Sequence, residues 1–225
     1  MRLFIAVVCI SFFCWNTQLL AQCPEGFWPG NENLVVNGDF EQGNQAFLTG
    51  YEHNPVDLWL EGYYAVGTNP SIVHPHFINI GDHTTQQGKM MVVNGAEVSG
   101  KVVWEQPVEG IYVGIVYAVS AWATTVSSAN RPAILQFSIN DQLLDEPFKV
   151  ASYYEDSWKQ FTAYWTAEDV QQLTLSIVNQ NTVQGGNDFV LDDISFVPCF
   201  QYAWQEHHVL DESIVCADAS ILLGH

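Results

Sequence analysis

Residues 111–125 read IYVGIVYAVSAWATT, a run rich in β-branched and aromatic residues that lacks a helical hydrophobic period. The run predicts a β-strand. Four more stretches, at 133–140, 158–166, 173–178 and 189–197, are strand-like in the same way. Many short strands joined by polar turns favour two packed sheets, and we predict an all-β fold, a jelly-roll β-sandwich.

The charge balance limits the partners of this chain. Its 225 residues include 6 Lys and Arg against 25 Asp and Glu, a formal net charge of −19. Such a charge repels phosphate backbones and anionic lipid, so we exclude nucleic acid and anionic membrane surfaces as partners. With 48% hydrophobic residues the chain has ample apolar surface to bury, which excludes intrinsic disorder.

The N-terminus has the pattern of a secretory signal peptide. Arg2 precedes a 13-residue apolar run that is too short to span a bilayer comfortably. Cleavage after Ala21 suits signal peptidase, so we predict a signal peptide at residues 1–21. The protein is then secreted or at the cell surface, without membrane insertion. Acylation of Cys23 is the alternative, which Gln22 disfavours.

Three cysteines follow the predicted signal, at Cys23, Cys199 and Cys216. Cys23 precedes the first strand-like run and Cys199 follows the last, so a disulfide can join them if the ends of the domain meet. Cys216 would then lack a partner. The chain has no Cys-x-x-Cys pair or His-Cys cluster, and we expect no structural zinc site.

A carboxylate interrupts the last predicted strand, where residues 189–196 read FVLDDISF. A period of two places Asp192 on the face of Val190 and Ile194, which should be buried. A buried carboxylate is costly unless it is protonated, paired or bound to a metal. Together with Glu41 and backbone carbonyls it would suit Ca²⁺. Alternatively, it caps a strand edge or accepts backbone hydrogen bonds, and the spacing leaves both interpretations open.

Two segments of the sequence resemble the corresponding segments of a known family. Residues 33–41 (NLVVNGDFE) and 189–196 resemble the opening and closing strands of carbohydrate-binding modules of the galactose-binding-like, cenC type. The segments at 120–122 and 158–162 match as well. The resemblance implies a galactose-binding-like sandwich, which we place at residues 22–200.

A narrower likeness concerns cell-surface proteins of gliding Bacteroidetes. It is carried by residues 81–84 (GDHT), 90–96 (MMVVNGA) and 186–189 (GNDF). In those proteins such modules precede further repeats, and residues 211–224 resemble the opening of one. The resemblance therefore implies a linker and the truncated start of a following module at residues 201–225.

The family resemblance also implies a structural Ca²⁺ where the first and last strands meet. The side chains of Glu41 and Asp192 and the carbonyl of Asp39 match the ligands of the family. A middle ligand would come from Asp82 or Thr84. No other cofactor is expected.

Sugar binding follows from the same resemblance. In such modules aromatic faces stack on sugar rings, while amides and carboxylates bond the hydroxyls. The candidate sugar-binding residues are Trp59, Tyr63, Tyr64, Trp104 and Arg131. Trp122, Trp158 and Trp165 fall in predicted strands, and we assign them structural roles.

Catalysis is not expected. The chain lacks the short motifs of serine hydrolases, zinc peptidases and phosphate-binding loops, although counting does not exclude a glycosidase carboxylate pair. One hypothesis is a secreted carbohydrate-binding module that attaches a protein to polysaccharide or a cell-surface glycan. The other is a Ca²⁺-stabilised structural or adhesive spacer. Exposed aromatic residues on one face would favour the first, and small polar residues the second. The sequence does not indicate an oligomeric state.

Overall fold

The computed structural model describes residues 21–129, 131–151, 158–168 and 172–201. Most of the predicted signal peptide (1–20) and the predicted linker and following module from 202 onward, including Cys216, lie outside the described residues.

The described residues form strands joined by turns and one short helix. The elements in chain order are β1 (Phe27–Pro29), β2 (Glu52–His53), β3 (Tyr63–Gly67), α1 (Pro70–Val73), β4 (Met90–Val93), β5 (Lys101–Glu109), β6 (Val116–Thr125), β7 (Ile134–Ile139), β8 (Gln142–Leu143), β9 (Phe148–Lys149), β10 (Lys159–Thr166), β11 (Gln172–Asn179) and β12 (Phe189–Gln201). Strands account for 43% of the described residues and helix for 2%, which confirms the all-β prediction.

The strands form two sheets that pack into a β-sandwich. The seven-stranded sheet has the order β10-β6-β12-β4-β3-β2, and β1 pairs with β12. The five-stranded sheet has the order β5-β11-β7-β8, and β9 pairs with β7. The pairing is antiparallel in both sheets except between β2 and β3. Antiparallel sheets of this kind commonly bury one face and leave the other to loops or solvent.

The main core lies between the sheets and follows the strand period of two. In β4, Met91 and Val93 belong to this inner core, whereas Met90 and Val92 point to the opposite face. In β10, Phe161 and Ala163 are buried in the inner core and Trp165 packs against it, as the alternation predicts.

The outer face of the seven-stranded sheet is covered by the long segment between β2 and β4. Leu58, Val73 and Phe77 from this segment pack on Met90 and other outward-facing residues of the sheet. This covering layer brings the loop at 81–88 over the sheet. It therefore positions both candidate sites described below.

One predicted strand begins later than expected and another does not form. Residues 111–115 lead into β6 through a turn, in which Gly114 has a φ of +84°. Residues 33–41 form turns instead of an opening strand, because Asn37 and Phe40 have φ values of +57° and +54°. Left-handed backbone at two positions is incompatible with a continuous strand.

A disulfide joins Cys23 to Cys199, with their Cα atoms 5.7 Å apart. This confirms the pairing expected if the ends of the domain meet, since β1 also pairs with the end of β12. Across the residues that the structure describes, no helix has the length and apolar character needed to cross a membrane.

Candidate functional site

Three segments meet at one end of the outer face: the turn at 37–41, the loop at 81–88, and the part of β12 around Asp192. They line an open cleft with a volume of ≈ 890 Å³. Its walls are rich in carboxylate, amide and hydroxyl groups, which makes it a candidate site for a hard cation. We call it the carboxylate cleft.

A β-bulge in β12 places Asp192 in this cleft. The register against β6 shifts between Asp192 and Ser195, and Asp193 has a φ of +47°. Val190 therefore faces the outer layer, whereas Ile194 belongs to the inner core. Asp192 pairs with Trp122 of β6 on the outer side of the bulge. Its predicted burial is confirmed, at 1% exposure, but its predicted placement on the face of Ile194 is wrong.

The Asp192 carboxylate is held by backbone donors. The N–H of His83 donates to Oδ2 and the N–H of Asp193 donates to Oδ1, both at 2.9 Å. Burial, together with the negative charges of Asp193 and Asp82, raises the pKa of Asp192 to about 8 despite these two bonds. The desolvation cost therefore outweighs the hydrogen bonds.

Glu41 and Asp82 meet at Gly88. The N–H of Gly88 donates to Asp82 Oδ1 at 2.7 Å, and the N–H of Lys89 donates to Glu41 Oε1 at 2.7 Å. A Cβ atom at Gly88 would lie 2.2 Å from Glu41 Oε1 and 3.1 Å from the Asp82 carboxylate carbon. Burial raises the pKa of Asp82, but the hydrogen bonds from Thr85, Gly88 and the backbone of the same loop have a larger effect in the opposite direction. The pKa of Asp82 is therefore lowered from its ordinary value. Two of the predicted ligands are thus close neighbours.

Thr84 and Asp39 occupy the rim of the cleft. Thr84 Oγ1 donates to Asp193 Oδ2 at 2.5 Å, and His83 Nδ1 lies 2.7 Å from the same oxygen. Asp39 is exposed, and its Oδ1 accepts from the N–H of Glu41 at 3.3 Å. The hydroxyl of Thr84 is therefore committed to Asp193 rather than directed at Asp82.

The sequence reasoning missed Asp193, His83 and Thr85 as members of this site. Thr85 bonds Asp82 through both its N–H and its hydroxyl. The His83 ring stacks on Trp122 at a centroid distance of 3.7 Å. The signal for Thr85 was present, because an Asp followed three residues later by Thr or Ser is typical of a side-chain-capped turn. The roles of Asp193 and His83 depend on the bulge, which the sequence pattern does not reveal.

The donor set suits Ca²⁺ in kind, since carboxylate and carbonyl oxygens line the cleft and the buried Asp192 is bonded to no cationic side chain of the described residues. Its arrangement is less suited. Among the described residues, no group of three or more His, Cys, Asp and Glu side chains converges in a way that could hold a metal ion. Calcium binding at Glu41, Asp82 and Asp192 therefore stays a proposal.

A second candidate site surrounds Trp59, which is 54% exposed. The loop that carries it is pinned on both sides. The N–H of the buried Leu58 donates to the Val73 carbonyl at 3.0 Å, and the Leu58 carbonyl accepts from Asn94 Nδ2 at 2.5 Å. The N–H of Trp59 itself donates to Asp57 Oδ1 at 2.9 Å. The ring is thus presented to solvent by a fixed backbone.

Two histidines flank the Trp59 ring. The centroids of His74 and His76 lie 4.6 Å and 5.6 Å from that of Trp59. Burial, and then the charge of His76, lower the pKa of His74, and its Nδ1 accepts from the N–H of His76 at 3.3 Å. His74 is therefore neutral at neutral pH. The exposed Ile72 of α1 lies two residues before it. We call Trp59, His74, His76 and Ile72 the Trp59 patch.

Arg131 is connected to the loop that carries Trp59. Its Nη1 donates to the Gln184 carbonyl at 3.0 Å, and the N–H of the next residue, Gly185, donates to Glu61 Oε1 at 2.9 Å. Glu61 follows Trp59 by two residues. Arg131 is exposed, so its remaining donors face solvent at the same end of the sandwich.

Tyr63 lies half-buried against the outer layer. The hydrogen bond to Glu52, and then the charge of that carboxylate, raise the pKa of Tyr63.

The other two sugar-binding candidates are core residues. Trp104 is 0% exposed and Tyr64 is 5% exposed, and both belong to the inner core. The Tyr64 hydroxyl donates to Asn44 Oδ1 at 2.8 Å. Neither ring presents a face to solvent, which corrects the expectation that they are exposed platforms. Each lies on a strand whose alternation directs it between the sheets.

The outward face of the five-stranded sheet is polar. Ser176 Oγ donates to Glu105 Oε2 at 3.1 Å, and Gln180 Nε2 donates to Gln136 Oε1 at 3.2 Å. The aromatic residues of β5, β7 and β11 are Trp104 and Phe137, and both are buried in the inner core. The outward face formed by these three strands therefore carries no aromatic ring.

Comparison with known proteins supports the fold. No protein-family model matches this chain, and no curated protein sequence matches it. Among solved structures it is similar to the Stig cyclase Fisc from Fischerella sp. TAU, with a TM-score of 0.51, 12% identity, and coverage of 74% of this chain and 96% of that one.

Two carbohydrate-binding modules are similar at lower scores. The CBM22-1 xylan-binding domain from Paenibacillus barcinonensis Xyn10C has a TM-score of 0.45 and 14% identity, covering 71% of this chain and 90% of that one. TmCBM61, solved in complex with β-1,4-galactotriose, has a TM-score of 0.48 and 14% identity, covering 73% and 97%. At these identities the likeness concerns the fold alone.

Proposed function

We propose that this chain is a non-catalytic carbohydrate-binding module whose glycan-binding surface is the Trp59 patch. The observation that carries the proposal is the exposure of Trp59 on a backbone fixed by Leu58, Asp57 and Asn94. A large apolar ring held in solvent by a rigid loop loses little conformational entropy on binding, which favours a stacking platform.

The surroundings of Trp59 suit an uncharged sugar. His74 is neutral and packs beside the Trp59 ring, the exposed Ile72 adds apolar surface, and Arg131 and Tyr63 supply polar groups nearby. The net charge of −19 opposes anionic glycans. The patch therefore combines an apolar surface for a sugar face with donors for its hydroxyls.

The carboxylate cleft is not proposed as a catalytic site, although Asp192 and Asp82 have pKa values shifted in opposite directions. Asp192 is buried, and both of its oxygens accept backbone hydrogen bonds, so that a substrate has no access to its proton. A general acid has to come within hydrogen-bond reach of the group that it protonates.

We also propose that the cleft binds a structural Ca²⁺ through Glu41, Asp82 and Asp192, with the Asp39 carbonyl and Thr84 at its rim. A cation would supply the positive charge that the buried Asp192 lacks. Removing it with EDTA at matched ionic strength should lower the melting temperature by several degrees, since binding at a hundredfold excess over Kd stabilises by about 2.7 kcal/mol. Asp39→Asn keeps the carbonyl and should respond like the wild type. An unchanged melting curve would exclude the calcium site.

Export is the remaining part of the proposal. The Cys23–Cys199 disulfide favours an oxidising compartment, and the N-terminal pattern favours a signal peptide that directs the chain to the outside. There it would attach a secreted or cell-surface protein to a glycan. Ala21 is buried, and its N–H donates to Ser195 Oγ at 2.7 Å. The predicted cleavage after Ala21 would remove this contact. The intact mass of the exported chain will show whether Ala21 is removed or kept.

The test is binding to a glycan array and to insoluble polysaccharides, in millimolar Ca²⁺, with the wild type, Trp59→Ala and Tyr112→Ala. Tyr112 is an exposed aromatic residue in the loop before β6 and serves as the matched control. We expect Trp59→Ala to weaken binding roughly tenfold and Tyr112→Ala to leave it unchanged. Equal binding by all three proteins would show that the sugar site does not include Trp59.

The alternative is a structural or adhesive spacer, and two observations favour it. The outward face of β5, β7 and β11 is polar and carries no ring, and two predicted platforms, Tyr64 and Trp104, are buried. If the wild type binds no glycan in the panel while its melting curve is intact, the spacer is the better assignment.

A further inference from the structure

A groove lies at the open edge of the sandwich, between the edge strand β10 of the seven-stranded sheet and the β7–β8 turn of the other sheet. Its volume is ≈ 490 Å³. The residues that matter for its chemistry are Asn140, Gln142, Tyr164, Trp165 and Glu168. We call it the edge groove. It contains none of the residues of the carboxylate cleft or the Trp59 patch.

The walls of the edge groove are fixed by hydrogen bonds. Asn140 begins a two-residue turn in which it and Asp141 have φ values of +49° and +64°. Its N–H donates to the Thr174 carbonyl and its Oδ1 accepts from the Thr174 N–H, both at 2.9 Å. The Asn140 side-chain oxygen is thus committed to β11, which leaves its Nδ2 as the donor for a ligand.

The opposite wall is the β10 segment that carries Tyr164 and Trp165. The N–H of Tyr164 donates to Asp145 Oδ2 at 3.2 Å, and its side chain is 42% exposed. Trp165 points the other way, packing against the inner core beside Tyr117 at a centroid distance of 6.0 Å. The strand therefore anchors itself through Trp165 and presents the Tyr164 ring.

We propose that the edge groove binds a neutral oligosaccharide. The exposed Tyr164 ring would stack on a sugar face, while Gln142, Asn140 and Glu168 bond its hydroxyls. The described residues that line the groove include no Lys or Arg, and Glu168 adds a negative charge to a chain that is already at −19. Uronic acids and sulfated sugars are therefore excluded by repulsion. This inference rests on the proposed carbohydrate-binding function and adds a second site to it.

The two sites lie at opposite ends of the seven-stranded sheet. Trp158, at the start of β10, packs against the same outer cluster as Leu58, whereas Tyr164 and Trp165 lie near the other end of that strand. Trp165 follows Trp158 by seven residues, which corresponds to about 23 Å of extended strand at roughly 3.3 Å per residue. A polysaccharide chain that reaches both sites would bind more tightly than a short oligosaccharide, because the second contact becomes intramolecular.

The experiment is titration calorimetry with cellohexaose, xylohexaose, mannohexaose and β-1,4-galactotriose, and with tetragalacturonate as an anionic probe. The proteins are the wild type, Tyr164→Ala, Tyr164→Phe and Trp59→Ala. We expect two sites per chain in the wild type for the neutral sugar that binds, one in Tyr164→Ala and two in Tyr164→Phe, which keeps the ring. Affinity for the matching polysaccharide should fall at least tenfold in Tyr164→Ala.

The outcomes separate the two proposals. Binding that is lost in Trp59→Ala and unchanged in Tyr164→Ala overturns the edge groove and leaves the Trp59 patch. Binding that is lost in Tyr164→Ala alone supports the edge groove and overturns the Trp59 patch. Tighter binding of tetragalacturonate than of any neutral sugar overturns the assignment to neutral glycans. The absence of binding to every probe overturns both sites.

Discussion

Replacing Asp192 by Asn should change the pH dependence of stability. In the folded protein, burial and the charges of Asp193 and Asp82 raise the pKa of Asp192 to about 8, against an ordinary value of 3.8. The folded state therefore keeps this proton over a range in which the unfolded state has lost it. The free energy of unfolding falls as the pH rises from about 4 to about 8, and this contribution is constant outside that window.

The size of the effect follows from the same two pKa values. Each pH unit in the window costs about 1.4 kcal/mol, so the full contribution is on the order of 6 kcal/mol. Asn has the shape of the protonated acid and does not titrate. The Asn amide nitrogen, however, cannot accept one of the two backbone hydrogen bonds that the Asp192 oxygens accept. Asp192→Asn should therefore be less stable than the wild type by about 1–3 kcal/mol near pH 4 and more stable by several kcal/mol at pH 9.

Urea unfolding in EDTA at pH 4, 6, 7.5 and 9 will measure this difference. Asp188 and Glu61 also have raised pKa values, caused mainly by burial, but they are present in both proteins and cancel in the comparison. The exposed Asp39 provides the control, because Asp39→Asn should follow the wild-type curve. Parallel curves for the wild type and Asp192→Asn would refute the reasoning that burial keeps this carboxyl protonated.

Two further predictions concern covalent closure and close packing. Reducing the Cys23–Cys199 disulfide, or replacing Cys199 by Ser, should lower the free energy of unfolding by about 2–5 kcal/mol, because the bridge spans a sequence separation of 176 residues. Equal denaturation midpoints with and without reductant would contradict this prediction. Gly38→Ala should destabilise the protein by about 1–3 kcal/mol, because its Cβ would lie 2.1 Å from the Ile194 carbonyl oxygen. The control Gly67→Ala meets no atom within 4 Å and should change the stability by less than about 1 kcal/mol. Equal melting temperatures for the two variants would contradict the prediction and show that the β12 bulge shifts to accept the added methyl group.

The fold could be predicted from the sequence because its strands alternate. The Asn140-Asp141 turn, the inward face of β10 and the closure by Cys23 and Cys199 follow from local pattern and chain order. These features depend on neighbours in sequence or on the position of the chain ends.

The site could be predicted only in part. The strand period predicted the burial of Asp192 correctly and its face wrongly, because the bulge at Asp193 reverses the alternation beyond it. For aromatic residues the limitation is different. The sequence does not distinguish Trp59 from Trp104, yet Trp59 lies exposed on a loop held by hydrogen bonds and Trp104 is buried between the sheets. Only the packing of distant segments separates them.

The disulfide also determines how the domain responds to a pulling force. Because β1 pairs with the end of β12 and Cys23 is bonded to Cys199, tension applied at residues 21 and 201 passes through the sulfur atoms. The 175 residues between the two cysteines, which include every strand except the last three residues of β12, then carry no load. Such a domain transmits force without unfolding for as long as the bridge is oxidised, and reduction converts it into an extensible element.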